Sequence, residues 1–214
     1  MRTPLCMCLT WVLLGLLGCQ GAASQSDLAL DLGLLARLPP GGDPHSASTP
    51  WLVRVSHLDL DLDLDFEHQR LHGSAVYRLQ RTDPQAPLIL DTAALDQLAV
   101  YGLDGRVRPF KLGPKRDRLG KALIIELEPA DQALRIIWST RPEGEALQWL
   151  GKNQTASRAQ PFMYSQGQAV LTRSWLPIQD TPSNRVTWSA KVRAPPEPAK
   201  TSVRMGWLMG SVRL

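Results

Sequence analysis

The segment His68-Gln69-Arg70-Leu71-His72 sets two imidazoles four residues apart, the spacing at which a helix brings two rings to one zinc ion. That chemistry also needs a glutamate directly after the first histidine as general base, and Gln69 stands there. The flanking sequence reads as strand, and over four extended residues the rings would stand about 13 Å apart. The pair is expected to hold no metal. Asp59, Asp61, Asp63 and Asp65 invite a calcium reading, because calcium loops open with aspartate at alternate positions. Such a loop needs glycine at its sixth position and glutamate at its twelfth; counted from Asp59, these are Leu64 and Arg70. No Gly-x-Ser-x-Gly elbow and no phosphate-cradling glycine loop is present. Asn153-Gln154-Thr155 is a glycosylation sequon. By itself the body offers no complete catalytic constellation and no metal site.

The three cysteines, Cys6, Cys8 and Cys19, all fall in the first nineteen residues. The body can therefore form no disulfide and no thiolate metal site. Arg2 precedes an apolar run over residues 5–17, too short to span a bilayer and the right length for the core of an export signal. The run ends Leu16-Leu17-Gly18-Cys19, which resembles a bacterial lipoprotein cleavage site. Residues 1–18 are expected to be removed and Cys19 acylated. The alternative is an ordinary secretory cut after Ala22 or Ala23. Gln20 after the lipidated cysteine leans toward the outer membrane, with the chain on the periplasmic side. Residues 19–50, with Pro39-Pro40-Gly41-Gly42 and the stretch 46–50, read as a tether, with a short apolar patch over 28–38.

The elements that would position any site are strands. Residues 58–66 alternate strictly, leucines on one face and aspartates on the other. Further strand signals run over 74–80, 88–90, 95–101, 122–127, 134–140, 163–173 and 186–192. They are punctuated by Asp83-Pro84, Gly102-Leu103-Asp104-Gly105 and Glu128-Pro129. No amphipathic helix of three turns is evident. An all-β, sandwich-like domain over residues 51–197 is expected. The chain has 214 residues, enough for one such domain, and an excess of four cations spread along the sequence without a long basic run. Nucleic acid is not an expected partner.

Two segments carry a resemblance. One is Glu145-Ala146-Leu147-Gln148-Trp149-Leu150 with Gln154-Thr155. The other begins Pro161-Phe162-Met163-Tyr164-Ser165-Gln166-Gly167-Gln168-Ala169 and continues through Arg173-Ser174-Trp175-Leu176-Pro177-Ile178-Gln179-Asp180-Thr181-Pro182-Ser183. Together they resemble the N-terminal domain of the aminopeptidase N superfamily, nearest its leukotriene A4 hydrolase and aminopeptidase B branch. The resemblance implies a saddle-shaped β domain that lines the substrate cleft of a zinc aminopeptidase. It implies that Gln168 contacts the free amine of a peptide substrate, with Gln166 beside it. A neutral amide oxygen can accept hydrogen bonds from an ammonium group. Strand alternation would put both glutamines on one face. Asp180-Thr181-Pro182 is expected to fix a turn.

The family's zinc ligands, its general base and its catalytic tyrosine have no counterpart in these residues. The chain is accordingly expected to be the N-terminal domain of a lipid-anchored enzyme, carrying no zinc of its own and inactive alone. The alternatives are an inactive peptide-binding lipoprotein and a non-functional gene remnant. Residues 198–214 lack clear alternation and depart from the family's pattern, as a frameshift or truncation would leave them. Missing final strands would leave a sheet edge unpaired.

Overall fold

The computed structural model describes residues 43–156, 158, 160–194, 203–205 and 210–213, the last two segments as backbone. The signal segment 1–18, Cys19, the tether over 19–42 and the apolar patch over 28–38 lie outside the described residues. Twelve strands follow in order: β1 (Val53–Asp65), β2 (Arg70–Arg81), β3 (Leu88–Thr92), β4 (Leu95–Gly102), β5 (Phe110–Leu112), β6 (Lys121–Ile125), β7 (Ala133–Thr140), β8 (Leu147–Leu150), β9 (Phe162–Ser165), β10 (Thr187–Arg193), β11 (Val203–Met205) and β12 (Gly210–Arg213). Three short 3-10 turns, Asp117–Leu119, Lys152–Gln154 and Thr172–Ser174, are the only helical pieces among the described residues. The expected all-β class holds.

The strands form a six-stranded sheet, β12-β10-β1-β2-β7-β4, and two three-stranded sheets, β11-β9-β8 and β3-β6-β5. Alternation dictates the inner face of the large sheet. Leu58, Leu60, Leu62 and Leu64 of β1 are buried, as are Val53 and Val55 before them. The phase change between the two sets falls at a register shift between Val55 and His57, where an extra residue re-aims the strand. Each buried leucine contributes roughly 1.5–3 kcal/mol. The core is continuous across the sheets. Leu88, Leu90, Leu123 and Ile125 of the β3-β6-β5 sheet and Leu147 and Met163 of β8 and β9 join the leucines of β1 in one cluster.

The aspartates take the other face, and each is committed to a neighbour. Asp59 accepts from Ser189 Oγ at 2.8 Å and from Arg78 at 3.1 Å. Asp63 accepts twice from Arg193, which also pairs with Asp61. Asp65 holds His68 Nδ1 at 2.8 Å. The Ser189 hydrogen bond keeps the Asp59 carboxyl below the usual range, and the Arg193 guanidinium does the same for Asp63. Exposed pairs of this kind add little stability. They do fix which strands can lie beside β1.

Three expectations need correction. The stretch 163–173 is not one strand: β9 stops at Ser165, and residues Thr172–Ser174 form a 3-10 turn. The cause is Gly167, whose missing side chain lets Thr172 close on it. A Cβ there would lie 2.4 Å from Thr172 Oγ1, and Leu171 N–H donates to the Gly167 carbonyl at 2.9 Å. Residues 43–50 do not behave as tether. Ser46, Ser48 and Thr49 are buried, because Ser46 Oγ and Ala47 N–H both donate to the buried Asp91 carboxylate, at 2.5 and 2.8 Å. The tail, read as lacking alternation, supplies two short parallel strands. β12 lies beside β10, covering an edge of that strand, and β11 lies beside β9.

Candidate functional site

The two segments that carried the resemblance are brought together. β8 and β9 pair antiparallel, Leu147 opposite Ser165 and Gln148 opposite Tyr164. Beyond β9, Gln166 N–H donates to the Ala146 carbonyl at 2.8 Å, and Ala146 N–H donates to Ser174 Oγ at 3.0 Å. Ser174 Oγ in turn donates to the Leu171 carbonyl at 2.8 Å. Residues 166–174 are thus a closed turn, clamped at both ends onto residue 146.

On this turn Gln166 and Gln168 are exposed, with Gly167 buried between them. Both lie past the end of the strand, so the turn and not strand alternation sets their direction. Neither side-chain amide makes a hydrogen bond among the described residues. The Gln168–Ala169 peptide is cis. Two exposed, unengaged amides on a clamped backbone can receive a hydrogen-bond donor without first giving up a protein partner.

The clamp continues into the core. Trp138 Nε1–H donates to the Trp175 carbonyl at 2.7 Å, and the Tyr77 hydroxyl donates to the Pro177 carbonyl at 2.7 Å. Burial pushes the Tyr77 phenol well above its ordinary value, so it stays a donor. Ile178 and Asp91 exchange backbone hydrogen bonds at 2.7 and 3.2 Å, joining the segment to β3.

The residues that hold this segment are buried polar groups within it and on β3. Arg173 is 1% exposed. Its Nε donates to Asp180 Oδ2 at 3.1 Å, and its guanidinium lies 3.7 Å from Asp91. It also donates to the carbonyls of Leu119 and Asp180, at 3.2 and 3.1 Å. Burial pushes the Asp180 carboxyl up, against the opposing pull of Arg173. Asp180 therefore serves a buried ion pair. The turn it was expected to fix is made instead by Thr181, whose carbonyl accepts from Asn184 N–H at 3.2 Å and whose hydroxyl meets Ser183 Oγ at 3.1 Å. Gln179 spans to β1, donating to the Val53 carbonyl at 2.7 Å and accepting from Val55 N–H at 3.0 Å. The signal for these roles was the density of polar residues over 179–184, which reads as loop when burial is unknown.

The histidines do not converge. His57 is engaged by Thr187 Oγ1 at 2.8 Å and Asp59 at 3.1 Å. His68 sits in the turn before β2 and His72 on β2, so no helix aligns them. Among the described residues no three His, Cys, Asp or Glu side chains stand close enough to share a metal. A groove of about 510 Å³ opens beside the turn, with Leu95, Leu98 and Leu171 within it and Lys115, Arg118 and Arg141 among its charged lining.

Residues 54–202 match the family described as the Peptidase M1 N-terminal domain. The chain is 33% identical over 159 residues to leucine aminopeptidase 2 of Phaeosphaeria nodorum, covering 72% of this chain and 25% of that protein. It is 34% identical over 169 residues to leukotriene A-4 hydrolase of Xenopus laevis, covering 72% and 26%. The solved structure of native leukotriene A4 hydrolase from Saccharomyces cerevisiae superposes with a TM-score of 0.65 at 30% identity, covering 77% of this chain and 27% of that one. The chain spans about a quarter of the length of the curated relatives it matches.

Proposed function

The chain belongs to the family of the peptidase M1 N-terminal domain, and from that premise we propose that it forms the substrate-facing wall of a zinc aminopeptidase. In this role the turn at 166–168 receives the amino end of a peptide. The carrying observation is the pair of exposed, unengaged amides of Gln166 and Gln168 on a backbone clamped to Ala146, Trp138 and Tyr77. An ammonium group has three donors and no acceptor, so an amide oxygen is a suitable partner. A preformed turn spares the ordering cost that a mobile loop would impose on binding.

The described side chains do not fit a zinc centre. His57 and His68 are taken by strand and turn partners, and no third ligand stands near either. The part proposed for this domain is to bind and orient substrate.

The test is a chimera in which residues 51–197 replace the corresponding domain of the Saccharomyces cerevisiae hydrolase. Gln168→Ala is expected to raise KM for an aminoacyl-arylamide by about tenfold or more, the loss of one hydrogen bond to a charged group. Gln168→Glu is expected to keep KM low through charge assistance. A chimera that folds and cleaves with the same KM for all three residues would sink the proposal.

We also propose that the chain is exported to the periplasmic side of a bacterial membrane and anchored through Cys19, as the sequence Leu16-Leu17-Gly18-Cys19 supports. Expression of the full chain in a bacterium is expected to give a mature protein that begins at Cys19, carries acyl mass and incorporates labelled palmitate. Cys19→Ala is expected to abolish the label. A mature N-terminus after Ala22 or Ala23, without added mass, would overturn it.

A further inference from the structure

One short, ordered segment carries a dense excess of positive charge. Residues 110–121 hold Lys111, Lys115, Arg116, Arg118 and Lys121 against a single acid, Asp117. That excess of four equals the excess for the whole chain, 24 Lys and Arg against 20 Asp and Glu. The remainder balances, 19 against 19.

The segment is ordered, which fixes where these charges stand. It comprises β5, the connection that follows and the first residue of β6. Gly113 N–H donates to the Ala122 carbonyl at 2.8 Å and Arg116 N–H to the Gly120 carbonyl at 2.8 Å. Gly120 has φ +76, and a Cβ there would lie 2.1 Å from the Thr92 carbonyl oxygen, so the base of the loop sits hard against β3. Arg173 reaches the Leu119 carbonyl from beneath at 3.2 Å.

Of the five cations only Arg116 makes a side-chain hydrogen bond among the described residues. Arg70, Arg78, Arg106, Arg108, Arg141, Arg173 and Arg193 each pair with a carboxylate. None of the five in this loop forms an ion pair among the described residues. Lys111, Lys115, Arg118 and Lys121 are exposed, and Leu112 between them is 44% exposed, one of the few large apolar side chains at the surface.

The position of the loop says what it meets. Arg116 donates to the Pro44 carbonyl at 2.8 Å, so the loop lies where the chain enters the folded body. A tether held through Cys19, as proposed above, would join the body beside this cluster of positive charge.

We propose that the 110–121 loop docks this domain on a membrane surface rich in anionic phospholipid headgroups, with Leu112 entering the interface. Acyl chains hold a protein at a bilayer without fixing how its body lies on it, and a basic patch draws the body onto anionic headgroups. The inference goes beyond the aminopeptidase proposal and draws on the Cys19 proposal only for the side that faces the bilayer.

The test uses the purified mature chain and vesicles of phosphatidylcholine with or without phosphatidylglycerol, read by co-sedimentation. Binding is expected to favour the anionic vesicles and to fall with added salt. Lys115→Glu/Arg118→Glu/Lys121→Glu is expected to cut partitioning by about 100-fold or more, given the attraction each cation near the surface supplies. A control with the same change in net charge, Arg135→Glu/Lys152→Glu/Lys191→Glu, is expected to lose far less. Equal loss in both variants, no preference for anionic vesicles, or tighter binding to duplex DNA than to the vesicles would each overturn the proposal. Failure of acylation shows separately, as the mass of the mature protein, and leaves the vesicle comparison readable.

Discussion

Arg173→Met lowers the unfolding free energy at pH 7 by about 4 kcal/mol, which for a chain of this size drops the melting temperature by roughly 12 °C. Arg173 is buried and faces two carboxylates, Asp180 at 3.1 Å and Asp91 at 3.7 Å. Asp91 keeps its donors from Ser46 and Ala47, and Asp180 N–H donates to it at 3.2 Å. None of these carries a positive charge, so removal of the guanidinium leaves two desolvated acids side by side. The Leu119 and Asp180 carbonyls lose a donor as well.

The pH dependence separates this cause from lost packing. Burial already raises the Asp180 carboxyl, with Asp91 adding to the rise. An acid whose folded pKa lies above its unfolded value binds its proton more readily when folded. Its contribution is therefore most favourable below the unfolded value of 3.8 and declines as the pH rises through the folded one. Without Arg173 that rise is larger, so the gap between variant and wild type narrows as the pH is lowered from neutral toward the carboxylate range. Urea unfolding followed by tryptophan fluorescence at several pH values measures it. A gap that stays constant with pH would assign the cost to packing alone.

Trp138→Ala costs about 4 kcal/mol and also loosens the turn that presents Gln168. The indole is 1% exposed and sits over Gly73, where a Cβ would come within 2.3 Å of the ring. Its N–H is the donor to the Trp175 carbonyl, so truncation leaves both a cavity and a buried acceptor without a partner. The fit to Gly73 supplies a sharper check. Gly73→Ala is strongly destabilising in the native chain and much less so beside Trp138→Ala, because the space is then free. A double-mutant cycle reads this directly, and purely additive changes would mean that the two residues do not meet as described.

What was legible in the sequence was the large sheet. Period two is a property of neighbours along the chain, so the leucines of residues 58–64 declared their strand and its buried face without further information. The same logic misled over 163–173. Met163 and Ser165 do alternate inward, but Gly167 lets the chain double back and Arg173 is drawn to acids distant in sequence, which no local pattern records. The segment 46–50 looked like linker because Ser46, Ser48 and Thr49 are polar; their burial depends on Asp91, forty-five residues beyond Ser46. Gln166 and Gln168 were singled out only through resemblance. As exposed amides they carry no distinguishing chemistry, and what sets them apart is the clamp beneath them, which arises from Trp138, Tyr77 and Ser174.

The partnership of β1 and β10 bears on when this chain can fold. β2 reaches β1 across a four-residue turn, but β10 joins its other side in parallel, His57 opposite Thr187 and Asp63 opposite Arg193. Each such pair closes a loop of 130 residues, an entropic toll exacted before any of its contacts form. Chains dominated by pairings this remote mature in milliseconds to seconds, not microseconds. During synthesis the first hairpin is finished early and then waits, one flank bare, until Arg193 has left the ribosome. Under the proposed export, that delay would keep the polypeptide unfolded long enough to be threaded through a membrane.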